Sequence, residues 1–263
     1  MKDQIDILGV SISNQPKRNI LEYIFERLKT SQEKTFIITP NPEMLVYAQK
    51  HSDYKDKLNS ADIALADGIG LSIAARLMAK PIHERITGVD FIEELCKASR
   101  EKPLSIGFLG GKVGVAEHAA QCLKQKYPWI DVVYASHEWN QQGFKYGKEA
   151  SNKQLESIEK GNIILAKSQT PVTTIDILFV AFGVPKQEEW ISENLPNIPV
   201  KAAMGVGGAL DFLSGNVRRA PRWMRKMGLE WFFRLVIQPW RWKRQLALIE
   251  FIGLVLQQRF ASI

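Results

Sequence analysis

With 263 residues the chain can bury a full core, as one large domain or as a domain with an appendage, and 45% hydrophobic and 24% charged residues are ordinary values for a globular protein. No uninterrupted apolar run approaches the ~20 residues that span a bilayer, and Met1-Lys-Asp-Gln-Ile-Asp lacks the apolar stretch of a signal peptide. A cytoplasmic protein that at most touches a membrane is expected, and its formal net charge of +7 favours an anionic partner: nucleic acid, acidic lipid or a phosphorylated substrate.

Ile5 to Val10 reads as a first strand and Lys17 to Leu28 as the helix after it, with Ile20, Leu21, Ile24 and Leu28 on one face. Thr35-Phe-Ile-Ile-Thr39 is a second strand, followed by Pro40-Asn41-Pro42-Glu43 and a helix starting near Pro42. Asp62-Ile-Ala-Leu-Ala is a third strand that ends at Asp67-Gly68-Ile69-Gly70 before another helix. Arg85-Ile-Thr-Gly-Val-Asp90 leads into a helix carrying Phe91, Ile92, Leu95 and Cys96. The pattern restarts with a strand at Leu104-Ser-Ile-Gly-Phe-Leu, and Gly110-Gly111-Lys112-Val113-Gly114 turns into a helix through Leu123. A short strand follows at Asp131-Val-Val-Tyr. His137 to Thr174 is polar, with one helix expected around Gln154 to Ala166. Ile175 to Ala181 is a strand, Phe182 to Trp190 opens a helix, and Val200-Lys-Ala-Ala-Met is the last strand before Gly205-Val-Gly-Gly.

Short apolar runs alternating with helical patterns predict an α/β fold, a Rossmann-like, mostly parallel sheet with helices on both faces. The expected organisation is a core over residues 1–216 and a basic, aromatic helical appendage over 217–263. Ligands of such sheets bind outside the carboxyl ends of the strands, where the polar and glycine-bearing turns gather. Nucleotide signatures fail there: Leu210 stands where a dinucleotide fingerprint needs a small residue, and Gly111-Lys112 lacks the remaining parts of a P-loop. The histidines, His51, His83, His118 and His137, are scattered, so no metal site is read. Cys96 and Cys122 sit in amphipathic patterns and read as buried thiols.

Asp67 follows a buried strand and precedes two glycines; its carboxylate suits a general base or, equally, a helix cap. Thr39 and Asn41 read, on their own, as turn and cap residues. Glu188 has a competing role at a helix dipole, and Gly110-Gly111 and Gly207-Gly208 compete between phosphate cradle and plain turn. From Arg218 onward the only acids are Glu230 and Glu250, against ten lysines and arginines, and Trp223, Trp231, Trp240 and Trp242 lie in the same stretch. Arg218 to Phe233 reads as an amphipathic helix with Trp223, Met224, Met227, Trp231 and Leu235 available to one face. Contact with a bilayer interface leads over a nucleic-acid surface and over simple packing on the domain.

Taken together the motifs resemble the WecG/TagA/CpsF glycosyltransferases of bacterial surface-polysaccharide and wall-polymer synthesis. The carrying residues are Thr39-Pro-Asn-Pro-Glu, Ala66-Asp-Gly-Ile-Gly, Arg85-Ile-Thr-Gly-Val-Asp-Phe, Phe108-Leu-Gly-Gly, Ala181-Phe-Gly-Val-Pro-Lys-Gln-Glu-Glu-Trp, Gly205-Val-Gly-Gly-Ala-Leu-Asp-Phe-Leu-Ser-Gly and Arg218-Arg-Ala-Pro…Glu230-Trp-Phe-Phe-Arg-Leu. The match spans nearly the whole chain in order. By resemblance, the protein transfers N-acetylmannosamine or its uronic acid from a UDP donor to N-acetylglucosamine on a polyprenyl diphosphate, with inversion and without a metal or other cofactor. The same resemblance puts Asp67 on the base and Thr39, Asn41, Gly68, Arg85, Gly88, Asp90, Gly110, Gly111, Gln187, Glu188, Gly207 and Gly208 on substrate-binding positions. Arg234, Arg241 and Arg244 fall where appendage arginines reach the diphosphate, at the inner face of the cell membrane. Another UDP-sugar such as UDP-glucose, or a non-catalytic nucleotide- or nucleic-acid-binding role, are the alternatives; a homo-oligomer is a further expectation. The stretch from His137 to Thr174 is longer and more polar than the family pattern.

Overall fold

The fold is that of a computed structural model, which describes residues 3–139 and 174–261; the helix expected around Gln154 to Ala166 lies outside them. Six parallel strands form one sheet in the order β4-β3-β8-β7-β5-β6: β3 (Thr35–Ile38), β4 (Ile63–Ala64), β5 (Ser105–Gly110), β6 (Asp131–Ser136), β7 (Ile175–Ala181) and β8 (Val200–Gly205). Nearly every position of these strands is buried, as parallel strands flanked by helices require. This is a Rossmann-like α/β architecture.

The N-terminus departs from the expected single strand. Residues 4–13 form an antiparallel hairpin of their own, β1 (Gln4–Ile7) and β2 (Val10–Ser13), with Ile5 opposite Ile12 and Ile7 opposite Val10. Leu8 and Gly9 between them both have positive φ, 55° and 74°, the two-residue turn whose twist matches a hairpin. The buried run Ile5-Ile7-Val10-Ile12 therefore folds back on itself instead of joining the parallel sheet.

By its contacts the chain divides into two compact units. The first comprises Met1–Ile20, Ile37–Thr87 and Arg218–Ile263. It holds the hairpin, α2 (Pro42–Lys50), α3 (Ser52–Asn59, a helix that the sequence reading passed over), α4 (Ile69–Leu77) and the C-terminal helices. The second comprises Leu21–Phe36 and Gly88–Val217. It holds β5 to β8, α5 (Gly88–Ala98), α6 (Val115–Lys126), α7 (Lys186–Asn194) and the short α8 (Ala209–Leu213). The remaining helix, α1 (Lys17–Thr30), begins in the first unit and ends in the second. In the second unit Phe108 and Phe179 stack at 5.6 Å between adjacent strands. Cys96 is buried there, and burial, with Glu93 beside it, pushes its thiol up to about 12. A thiol reagent at about pH 8 is expected to modify the half-exposed Cys122 and to spare Cys96 until the chain unfolds. Peptide mass mapping reads this, and early labelling at Cys96 would contradict its burial.

The C-terminal segment is not one helix from Arg218 to Phe233. It breaks into α9 (Arg222–Lys226) and α10 (Glu230–Ile237), because α9 closes at Gly228, whose N–H bonds back to Arg225 O at 3.0 Å. Pro239 starts a single 3₁₀ turn, and α11 (Trp242–Ala261) follows. One side of α11 packs on α2 and α4 with Phe251 and Val255 fully buried. Polar ties fix the same side: Leu8 N donates to Gln258 Oε1 and Gln258 Nε2 to Asp6 Oδ1, both at 2.9 Å, and Lys50 pairs with Glu250 at 2.7 Å. The outer side is apolar and open to solvent. Among the described residues, every large exposed apolar side chain except Ile73, Val113 and Trp129 lies at or beyond Trp223. No helix among them is long and apolar enough to cross a membrane.

Candidate active site

In the first unit the β3–β4 ladder continues beyond both strands. Leu65 N donates to Ile38 O at 2.8 Å and Asp67 N to Pro40 O at 2.9 Å. Thr39-Pro40-Asn41 and Ala66-Asp67-Gly68 are thereby carried to the same carboxyl edge of the sheet, where ligands of such folds bind. Thr39 is buried, while Asn41 and Asp67 are half-buried. Asn41 caps α2, its Oδ1 accepting from Met44 N at 3.1 Å, so the cap role weighed for it is realised. Asp67 is not a cap. The α4 cap is Gly68, with φ 87° and ψ 153°, a conformation closed to other residues. Gly68→Ala is expected to cost about 1–3 kcal/mol and to turn the Asp67 backbone. The expected readings are a lower melting temperature and reduced turnover; wild-type turnover would mean that the Asp67 placement is insensitive to this bend.

Residues 85–87 run beside this edge, with Ile86 N on Ala66 O at 3.0 Å. They also fasten the C-terminal segment. The Arg85 guanidinium donates to Arg225 O, and Arg219 bonds Thr87 Oγ1 at 3.3 Å and Glu230 at 3.0 Å. Arg85, read as a substrate contact, thus has at least one structural duty. The three appendage arginines are distributed unevenly. Arg234 Nε donates to Gln238 Oε1 at 3.3 Å on α10, and Arg241 lies in the 3₁₀ turn. Arg244, in the first turn of α11, grips Glu43 of α2 with Nε and Nη2.

In the second unit the strand order supplies a topological switch. From β5 the chain goes outward to β6, whereas from β7 it goes the other way to β8, so a crevice opens at the carboxyl ends of the adjacent β5 and β7. A cavity of about 600 Å³ lies there, lined by Gly111, Lys112, Ala181, Phe182, Lys186, Trp190 and Asp211. Phe182 and Trp190 meet edge to face at 5.7 Å, giving it an aromatic wall between two lysines. Gly111, one of the lining residues, has its N–H tied to Ala181 O at 3.1 Å.

Gln187 and Glu188 behave differently from their neighbours. Gln187 is 1% exposed and Glu188 0%. Gln187 Nε2 donates to Glu188 Oε1 at 2.6 Å, and Gln187 Oε1 accepts from Gly207 N at 2.9 Å. Glu188 is therefore a buried acid in the first turn of α7 that also holds Gln187, and the Gly207 N–H is spent on the Gln187 amide. Gly208 caps the five-residue α8, while Gly88 and Asp90 lie in the first turn of α5, where Gly88 lies against Val206. Among the described residues no group of three His, Cys, Asp or Glu is arranged to hold a metal.

The description "Glycosyl transferase WecG/TagA/CpsF family" matches residues 5–263. The chain belongs to this family. A relative from Bacillus subtilis (strain 168), named N-acetylglucosaminyldiphosphoundecaprenol N-acetyl-beta-D-mannosaminyltransferase, is 31% identical over 252 residues, 96% of this chain and 91% of that protein. A relative of the same name from Staphylococcus aureus (strain MRSA252) is 32% identical over 243 residues, 92% of this chain and 86% of its own length.

In this family member the structure gathers Thr39, Asn41, Asp67, Gly68 and Arg85 in one unit, with Arg234, Arg241 and Arg244, and Gly88, Asp90, Gly110, Gly111, Gln187, Glu188, Gly207 and Gly208 in the other. Lys112, Phe182, Lys186, Trp190 and Asp211 were not singled out from the sequence. A signal for two of them was present: Lys186 and Trp190 are four apart at a helix start and share a face, which turns Gln187 and Glu188 inward. Asp211 stood in the motif Gly205-Val-Gly-Gly-Ala-Leu-Asp, but only the fold brings α8 to the cavity.

Proposed function

We propose that the protein is a hexosyltransferase that moves N-acetylmannosamine, or its uronic acid, from a UDP donor to N-acetylglucosamine on a polyprenyl diphosphate. The transfer inverts the anomeric centre and uses no metal. What carries the reading is Asp67, the carboxylate that the family resemblance puts on the base, at the carboxyl edge of the sheet and ahead of the α4 cap position. It takes the proton from the acceptor hydroxyl while that oxygen bonds to the anomeric carbon and the bond to the UDP oxygen breaks, its electron pair leaving with UDP. The names of the relatives support inversion, because they specify a β-linked product whereas nucleotide sugars of this class carry the sugar α-linked.

The β5–β7 cavity suits the nucleotide of the donor: an aromatic wall for a base, and Lys112 and Lys186 for the diphosphate. The guanidinium groups of Arg234 and Arg241 answer the charge of the leaving or acceptor diphosphate, with Arg244 available once it lets go of Glu43. The open apolar side of α10 and α11, set among arginines, supports peripheral docking on the inner face of the cell membrane, where a polyprenyl-linked acceptor resides. The test is incubation with a panel of UDP-sugars and a synthetic diphospholipid acceptor, with and without chelator, and assignment of the product anomer by NMR. Product with β configuration from UDP-N-acetylmannosamine is expected at equal rate in both arms. Chelator sensitivity removes the metal-free step, preference for UDP-glucose replaces the donor, and absence of turnover with any UDP-sugar leaves a binding protein.

A further inference from the structure

Two walls of the β5–β7 cavity are joined by a buried polar pair that touches neither solvent nor the cavity. One wall is α7, which contributes Lys186 and Trp190; the other is α8, which contributes Asp211 and is entered through the turn Gly205–Gly208. Gln187 and Glu188 lie between them, 1% and 0% exposed, beneath that turn. The fit is close: a Cβ on Gly205 would stand 2.9 Å from Gln187 Nε2 and 3.1 Å from Glu188 Oε1, so a side chain there would have to displace the pair.

We propose that Glu188 is a positioning residue for donor binding: it fixes the Gln187 amide, and through the amide the Gly207 turn and the separation of the two cavity walls. An amide has one donating and one accepting end, so anchoring one end decides what the other presents. Glu188 Oε1 accepts from Nε2, which leaves Oε1 of Gln187 for Gly207 N. Without Glu188 the amide can rotate, and the half-buried Gly207 N–H loses its acceptor. The proposal rests on the reading that this cavity takes the donor nucleotide, and it makes Gln187 a support of the cavity instead of a ligand contact.

The test is a charge-and-amide swap in the full chain, read by calorimetric titration with UDP and by thermal melting. Gln187→Glu alone places two carboxyl groups in contact and is expected to weaken UDP binding about tenfold. Adding Glu188→Gln restores one donor facing one acceptor in the reverse order, and UDP affinity is expected to return to within about threefold of wild type. If the swap binds UDP as poorly as Gln187→Glu while melting like wild type, Gln187 contacts the ligand itself and the proposal is overturned. Unchanged affinity in both variants, with only the melting temperature lowered, overturns it as well. If the wild-type chain does not bind UDP, the donor reading fails. Amide exchange at Gly207 then decides the positioning claim: faster exchange in Glu188→Ala upholds it, and unchanged exchange ends it.

Discussion

Replacing Asp67 with asparagine is expected to lower kcat for sugar transfer by about 10²–10⁴-fold, the range that a positioned general base contributes, while UDP affinity and melting temperature stay near wild type. Asparagine has the same shape but no basicity near neutral pH. The backbone that holds the residue is untouched by the change, since the ladder bond from Asp67 N to Pro40 O uses no side-chain atom. The N-cap position of α4 is held by Gly68 and not by Asp67. Because the readouts separate, the result is interpretable. Full activity in Asp67→Asn removes the base from the mechanism. Loss of UDP binding together with turnover makes Asp67 a donor contact instead. A side chain that withdraws a proton in the transition state acts on kcat, and a uniform binder acts on KM.

The second large effect concerns the outer side of the C-terminal helices. Trp240 and Ile249 are 69% and 71% exposed, and neither belongs to the packed side of α11 that Phe251 and Val255 occupy. Changing both to glutamate removes two apolar insertions and adds two negative charges. Each lost side chain is worth about 1.5–3 kcal/mol if fully buried in lipid, so binding to phosphatidylglycerol vesicles is expected to fall at least about 100-fold in a cosedimentation assay. Turnover of a long-chain diphospholipid acceptor falls with it. Turnover of a truncated, water-soluble diphosphate acceptor stays near wild type, because no residue of the catalytic edge changes. Undiminished vesicle binding would assign this surface to protein contacts. Equal loss on both acceptors would mean that the helices serve the reaction and not the membrane. Deletion from Arg218 is a poor substitute for this experiment: it strips Arg219 from Thr87 and α11 from α2 and α4, and would unfold the unit that carries Asp67.

For the arginines of this segment, the sequence and the fold each decide a different property. Their density was plain in the sequence, and so was their pairing with tryptophan. Their partners were not. Arg219 belongs to Glu230 and Thr87, and Arg244 grips Glu43, the last residue of the motif Thr39-Pro-Asn-Pro-Glu. No local pattern links positions 43 and 244. Exposed ion pairs of this kind contribute only about 0–1 kcal/mol, so Arg244 remains available to a diphosphate in a way that a buried arginine would not. The single amphipathic helix expected over Arg218 to Phe233 failed for a local reason: Gly228 ends α9 there, and the apolar positions on either side fall on two short helices.

By itself the sequence determined the alternation of parallel strands and helices, the family, and the carboxylate at the tip of β4, because hydrophobic period, turn residues and motif spacing are properties of neighbouring residues. The strand Ile5 to Val10 was misread for the same reason, since a period of two is shared by parallel strands and hairpins, and only the backbone at Leu8 and Gly9 separates them. The tertiary structure decided the rest. It set β5 beside β7, and so made a cavity from residues as distant as Lys112 and Asp211. It turned Gln187 and Glu188 inward under a glycine turn, and it joined Arg218–Ile263 to the unit of Asp67. Such contacts depend on which surfaces bury each other once distant segments have met, a choice made by packing and polar satisfaction across the whole chain and invisible to any short window of it.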